Sequence, residues 1–222
     1  MAPVKVFGSA AFTNVARVLV CLEEVGAEYE IVDIDFHVRE HKGPEHLARN
    51  PFGQVPAFQD GDLMLFQSRA ISPYVLRKYK TSADDEAVNL LREGSPEESA
   101  LVDAWLDVEA LRYDPAMNSV FVQHRVVPAL GGTPDEEVIG ESVEKLREVL
   151  DVYEARLAKH RYLAGDFVSL ADLSHFPEAH YFMEMPYAAV FDSYPRVRAW
   201  LEDIFSRPAV KKVVELMSKD FH

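Results

Sequence analysis

Apolar residues in the first third of the chain alternate between short continuous runs and helical spacing. Residues 4–7 form an apolar run that ends at Gly8, and residues 29–34 form a β-branched run. Helical spacing lies between them, in Val15, Val18, Leu19, Leu22 and Val25. A strand, a helix and a second strand at this separation predict a parallel pair joined by a right-handed crossover.

The next segment predicts an antiparallel hairpin that leads into a helix. Residues 57–59 and 62–66 are β-prone, and the dipeptide Asp60-Gly61 between them favours a type I′ turn. Pro56 holds Val55 in an extended conformation, which leaves the Val55 backbone groups available to a ligand. A short helix near residues 45–49 and a helix over 68–79 complete a predicted βαβαββα order.

The remainder of the chain reads as helical. Residues 81–90 are polar and acidic and predict a linker between a domain at 1–80 and an all-α domain at 91–222. Ser95-Pro96 begins one helix, and another begins near Glu136. The inner face of the first is predicted from Leu101, Val102, Trp105, Val108 and Leu111. Ser169–Asp172 is a capping box with a structural role, whose removal is expected to cost about 1 kcal/mol.

Composition narrows the class of protein. The 222 residues carry a net charge of -14, which disfavours binding to nucleic acid and to anionic membranes. A single cysteine excludes an internal disulfide, and Cys21 lies mid-helix among apolar residues, where a buried role is expected. No apolar run reaches the length of a membrane span, and the first residues enter a strand directly. A soluble cytoplasmic protein is therefore expected.

Several blocks of sequence closely resemble plant phi-class glutathione transferases, and the resemblance extends over essentially the whole chain. The matching blocks are residues 40–42, 50–56, 68–71, 152–157 and 162–166. The resemblance implies a thioredoxin-like α/β domain followed by an all-helical domain, with a cis peptide bond at Val55-Pro56. It also implies a homodimer that uses glutathione as its co-substrate.

The resemblance assigns roles to individual residues. His41 and Lys42 are expected at the glycyl carboxylate of glutathione, Gln54 and Val55 at its backbone. Gln67 and Ser68 are expected at its γ-glutamyl end. A hydrophobic second substrate is expected between the domains, although each of its candidate contacts could equally be core. These candidates are Phe12, Phe36, Met117, Phe121 and Val122.

Two positions depart from the family pattern. Gln67 stands where a glutamate is usual, and Phe12 stands where the family has its catalytic serine. Thr13 is the candidate hydroxyl for stabilising the thiolate, and its alternative role is a helix N-cap. Ser9 is a weaker candidate, while the helix N-terminus and Arg17 add electrostatic help.

These departures leave two functions open. One is an enzyme that conjugates glutathione to hydrophobic electrophiles or reduces organic hydroperoxides, in detoxification or the stress response. The other is a ligand carrier or regulator with little turnover, which Phe12 and Gln67 favour. A metal site is not expected, because no carboxylate or cysteine joins His37, His41 and His46 at ligand spacing.

Overall fold

The chain forms two compact units in a computed structural model that describes residues 3–79 and 89–219. Residues 1–90 together with 207–222 form the first unit, and residues 91–206 form the second. Most of the predicted linker, residues 81–88, lies outside the described residues.

The first unit is built on a four-stranded sheet in the order β2-β1-β3-β4. The strands are β1 (Val4–Phe7), β2 (Tyr29–Val32), β3 (Ala57–Asp60) and β4 (Leu63–Phe66). The pair β1–β2 is parallel, and the pairs β1–β3 and β3–β4 are antiparallel. The helices are α1 (Thr13–Glu24), α2 (Pro44–Arg49) and α3 (Ser68–Tyr79). This order confirms the predicted thioredoxin-like βαβαββα domain.

The hairpin turn differs from the prediction by one residue. Asp60 remains in β3 and pairs with Leu63, so the turn residues are Gly61 and Asp62. Of these only Gly61 has a positive φ, of 60°, whereas a type I′ turn needs two. The type I′ prediction was wrong because Asp60 stays paired in β3, where its carboxylate also accepts from the side chains of Tyr74, Lys78 and Tyr79.

In the second unit every described regular element is helical, as predicted. Its helices are α4 (Pro96–Val108), α5 (Asp114–Phe121), α6 (Val127–Ala129), α7 (Glu136–Leu157), α8 (Leu170–Leu173), α9 (Phe176–Phe182) and α10 (Pro195–Ser206). The side chains of Ser95 and Asp135 cap α4 and α7 by accepting backbone N–H bonds. Single π-helical turns at 109–113 and 122–126 link α4, α5 and α6.

The predicted inner face of α4 is only partly correct. Val102 is buried, but Leu101 and Leu111 are 42% and 71% exposed. A π-helical turn adds one residue to the repeat and rotates the residues after it. Glu109 and Tyr113 therefore occupy the buried side of the 109–113 turn, where the regular helical period had placed Leu111.

The capping box at Ser169–Asp172 is confirmed, and its Asp172 side chain has more hydrogen-bond partners than the sequence predicts. Asp172 is fully buried and accepts hydrogen bonds from both the backbone and the hydroxyl of Ser169. Its other oxygen accepts from the Leu163 N–H and the Trp200 indole, each at 3.0 Å. One carboxylate thus joins three segments of the second unit.

The last helix, α11 (Pro208–Lys219), belongs to the first unit, although the sequence analysis placed it in the helical domain. It packs against α1, and the Arg207 guanidinium donates to both oxygens of Glu24 at 2.8 and 2.7 Å. Lys212 pairs with Glu23 at 2.8 Å. Across the described residues, no helix combines the length and apolar character that crossing a bilayer requires.

Candidate functional site

The loop before β3 contains Val55, whose backbone groups are placed to bind a ligand. The Val55-Pro56 bond is cis, as expected. The Gln54 carbonyl accepts from Asn50 Nδ2 at 2.8 Å and lies 2.9 Å from His46 Nε2. These two side chains hold the loop in place. Within the described parts of the chain, the Val55 amide and carbonyl have no hydrogen-bond partner. A Cβ at Gly8 would lie 2.9 Å from the Val55 Cβ, so only glycine permits this approach.

The start of α1 lies in the same unit and presents unpaired donors. Phe12 is the N-cap and offers no side-chain cap, and Thr13 is the first helical residue. The alternative N-cap role for Thr13 was therefore wrong. Among the described residues, no partner is found for the Thr13 hydroxyl or for the backbone N–H groups of Thr13 and Asn14. Such donors at a helix N-terminus favour a negative charge.

The start of α3 is strained. Gln67 has a φ of 73°, a region that costs a non-glycine residue about 1–3 kcal/mol and is found mainly at functional sites. Its carbonyl accepts from the Ala70 and Ile71 N–H groups, and its side chain is exposed. Ser68 is 4% exposed and begins the helix. The binding role of the pair stays a prediction.

A polar network joins the starts of the two helices. The Ser68 hydroxyl donates to Asn14 Oδ1 at 3.0 Å. Arg17 Nη1 donates to Ser68 Oγ at 3.1 Å and to Asn14 Oδ1 at 2.6 Å. Sequence reasoning missed Asn14. Its spacing of three residues from Arg17 on a helix was the available signal, because residues so spaced are neighbours on the helix surface.

Aromatic rings line the other side of the α1 start. Phe12 is 37% exposed and lies 4.5 Å from the Phe36 ring, which stacks on the His41 ring at 4.1 Å. Desolvation, followed by the charges of Lys42 and Arg39, lowers the pKa of His41. A lowered pKa favours the neutral form of the His41 imidazole, which can still donate one hydrogen bond to a carboxylate.

The remaining predicted residues are placed as follows. Lys42 is exposed, and its ammonium donates to the carbonyls of Phe52 at 3.0 Å and Gly53 at 2.9 Å. The Gln54 side chain is exposed.

In the second unit, Met117 is 2% exposed, which favours its core interpretation. Phe121 is half-buried 5.6 Å from the Tyr181 ring, and Val122 is half-buried in the π-helical turn at 122–126.

Cys21 is buried in α1, as expected. Burial raises the pKa of its thiol to about 12, against the smaller lowering effects of Ser72 and Arg17. A thiol in this state is protonated at neutral pH and therefore a poor nucleophile. The chain's own cysteine is thus not the reacting sulfur of this site.

The fold and the site together define a class of protein. A thioredoxin-like domain with a cis-proline loop, two adjoining helix N-termini and an open backbone segment is suited to binding a short anionic peptide. The second, all-helical unit completes the architecture.

Comparison with known proteins gives the family. Residues 2–77 match the model of the glutathione S-transferase N-terminal domain, and residues 108–208 match that of the C-terminal domain. The chain is 60% identical over 219 residues to the probable glutathione S-transferase GSTF1 of Oryza sativa subsp. japonica, covering 98% of each chain.

Solved structures agree with this assignment. The chain resembles maize glutathione S-transferase I in complex with an atrazine glutathione conjugate, at a TM-score of 0.90 and 52% identity, over 98% of this chain and 99% of the other. Glutathione transferase F7 of Populus trichocarpa matches at a TM-score of 0.91 and 47% identity, over 96% and 99%. The chain belongs to the glutathione S-transferase family and, within it, to the plant phi class.

Proposed function

We propose that this transferase conjugates glutathione to hydrophobic electrophiles. The observation that carries the proposal is the junction of the α1 and α3 starts, where Ser68 bonds to Asn14 at 3.0 Å. Both helix N-termini favour anions, and glutathione brings a γ-glutamyl carboxylate to one and a thiolate to the other. Val55 then offers its unpaired amide and carbonyl to the peptide backbone between them.

The reaction needs the thiol in its ionised form. A free thiol has a pKa of about 8.5, so only a few per cent is thiolate at neutral pH. The amides of Thr13 and Asn14, the α1 dipole and the Thr13 hydroxyl are the proposed stabilising groups. The thiolate sulfur then forms a bond to the electrophilic carbon, and a leaving group such as halide departs with its electron pair.

The proposed glutathione contacts follow the order of the peptide. Ser68 and Gln67 hold the γ-glutamyl end, and Val55 with the Gln54 side chain holds the middle. His41 and the Lys42 ammonium hold the glycyl carboxylate. Phe12 and Phe36 form the proposed apolar face for the second substrate, since aromatic rings stack well on flat ligands. Met117, Phe121 and Val122 stay predictions for the second unit.

We also propose hydroperoxide reduction by the same thiolate, in detoxification or the stress response. The sulfur attacks the peroxide O–O bond, which releases an alcohol and leaves a sulfenic acid on glutathione. A second glutathione converts this to the disulfide and water. The proposed setting is the cytoplasm, where glutathione keeps thiols reduced.

A carrier or regulatory role remains the second candidate, and Phe12 is the observation that favours it. The ring stands at the α1 N-cap, where a hydroxyl is absent and an apolar ligand can stack. Calorimetric titration with glutathione, followed by an assay with a generic aryl halide, separates the two. Binding with turnover supports the transferase, whereas ligand binding without turnover supports the carrier.

The neutral side chain of Gln67 gives a prediction for glutathione affinity. Gln67→Glu should tighten glutathione binding by about 1 kcal/mol, roughly fivefold, because a carboxylate pairs with the γ-glutamyl ammonium better than a neutral amide does. Calorimetry on the variant measures this gain, with Gln59→Glu on β3 as a charge-matched control that should leave affinity unchanged. Weaker or equal binding by Gln67→Glu would place Gln67 away from the γ-glutamyl end.

The exposed ring of Phe52 gives a prediction for assembly. This side chain is 62% exposed on the loop before Gln54, an unusual position for so apolar a group. We propose that it inserts into the partner subunit of a homodimer with two-fold symmetry. Sedimentation at micromolar concentration should show a dimer, and Phe52→Ser should shift it towards monomer. A monomeric unaltered chain would contradict the proposal.

A further inference from the structure

The buried charge of Arg17 lies directly beneath the proposed γ-glutamyl site. Arg17 is fully buried in α1, and its guanidinium stays protonated at any working pH. Burying a charge is costly, and hydrogen bonds from the guanidinium offset part of that cost. Arg17 Nη1 donates to Asn14 Oδ1 and to Ser68 Oγ, and Ser72 Oγ donates to the Arg17 carbonyl at 3.3 Å from the next turn of α3. The side chain therefore bonds to the first turns of both helices.

The hydrogen bonds of Ser68 define a resting state. A serine hydroxyl has one proton, and Ser68 gives it to Asn14 Oδ1 at 3.0 Å. The same proton is needed if Ser68 is to donate to a carboxylate of a bound ligand. When the hydroxyl turns, Asn14 Oδ1 keeps its bond from Arg17 at 2.6 Å, and Ser68 Oγ keeps its own from Arg17 at 3.1 Å. Arg17 thus leaves neither oxygen without a donor.

We propose that Arg17 is a positioning residue that allows the Ser68 hydroxyl to turn from Asn14 to the γ-glutamyl α-carboxylate when glutathione binds. The inference rests on the proposed function. A donor bonded to a hydroxyl oxygen polarises its O–H group and makes it a stronger donor in turn. Arg17 therefore strengthens one contact with glutathione without touching the ligand.

The test compares two ligands that differ only in the γ-glutamyl α-carboxylate. One is glutathione, and the other is 4-aminobutyryl-cysteinyl-glycine, which lacks the γ-glutamyl α-carboxylate. For the unaltered chain, calorimetry should give about thirtyfold weaker binding of the truncated peptide, as expected for loss of a charge-assisted contact. In Arg17→Met the ratio should fall to about threefold, mainly through weaker binding of glutathione, because Ser68 loses its polarising donor and its turn then leaves Asn14 Oδ1 without a donor.

Matched variants separate a positioning role from a structural one. Ser68→Ala should reduce the ligand ratio by itself, and adding Arg17→Met should then change it little, because the two act through one contact. Arg17→Lys should restore part of the ratio, since an ammonium can still donate to both oxygens. Equal weakening of both ligands by Arg17→Met would overturn the inference and leave Arg17 a purely structural residue.

Two further outcomes are decisive. If Arg17→Met does not fold, Asn14→Ala replaces it as the test variant. Removing the acceptor that Ser68 uses in the resting state should increase the affinity for glutathione by about twofold. A tenfold lower affinity would contradict the proposal that the Ser68 hydroxyl turns. If the unaltered chain binds neither peptide, the proposed function fails and the inference fails with it. Failure of the inference alone leaves glutathione binding intact with an unaltered ligand ratio in the Arg17 variants.

Discussion

Phe12→Ser should raise the rate of glutathione conjugation at neutral pH by roughly thirtyfold. The new hydroxyl would stand at the α1 N-cap, where the Phe12 side chain now offers no hydrogen bond. One bond from a hydroxyl to a thiolate contributes about 2 kcal/mol, which corresponds to that factor. The gain should shrink at pH 9, because the thiol is then largely ionised without help. Turnover and thiolate absorbance against pH measure both effects.

Phe12→Ala is the matched control, because it removes the ring without supplying a hydroxyl. It should lose the contact with Phe36 and leave the apparent thiol pKa unchanged. A rise equal to that of Phe12→Ser would mean that relief of crowding, rather than a hydroxyl, increases the rate.

The result differs if Thr13 already supplies the hydroxyl. In that case Thr13→Val should abolish most activity and raise the apparent thiol pKa, whereas Phe12→Ser should alter mainly the fit of the second substrate. If neither variant shifts the pKa, the α1 N-terminus and the charge of Arg17 alone set the thiol, and no hydroxyl role exists here.

Asp172→Ala should lower the free energy of unfolding by about 4 kcal/mol, a large share of the usual 5–15 kcal/mol. The substitution leaves buried donors on Ser169, Leu163 and Trp200 without their acceptor. Urea unfolding monitored by circular dichroism measures the loss. Asp172→Asn should lose less, since it keeps one acceptor oxygen.

Asp103→Ala on the exposed side of α4 is the control for removal of a charge from the same unit. It should change stability by less than about 0.5 kcal/mol, as exposed substitutions usually do. A loss of only 1 kcal/mol in Asp172→Ala would show that Asp172 acts as a simple helix cap and that its bonds to Leu163 and Trp200 add nothing.

Local patterns predicted the elements well because spacing and caps act over a few residues. The strands, the start of α3 at Ser68 and the cap at Asp172 all follow from short-range chemistry or from the resemblance. The further partners of Asp172 could not be predicted, because Leu163 and Trp200 approach it only through tertiary packing. The inferred cost of its loss therefore rises from about 1 to about 4 kcal/mol.

The candidate site, too, could be predicted only in part from the sequence. Its residue types were visible in the sequence, but the strained φ of Gln67 and the link from Ser68 to Asn14 depend on how α1 and α3 pack. The lowered pKa of His41 likewise follows from desolvation in the folded chain, followed by the charges of Lys42 and Arg39. Sequence spacing could not show the link from Ser68 to Asn14, because these two residues are far apart along the chain.

The docking of α11 on α1 affects the order in which a new chain can mature on the ribosome. The apolar residues Val210, Val213 and Met217 are buried, and Arg207 and Lys212 pair with the end of α1. The first unit therefore lacks part of its own core until α11 has been synthesised. During that interval the second unit has all its residues and can fold first, while the exposed face of α1 remains a target for chaperones.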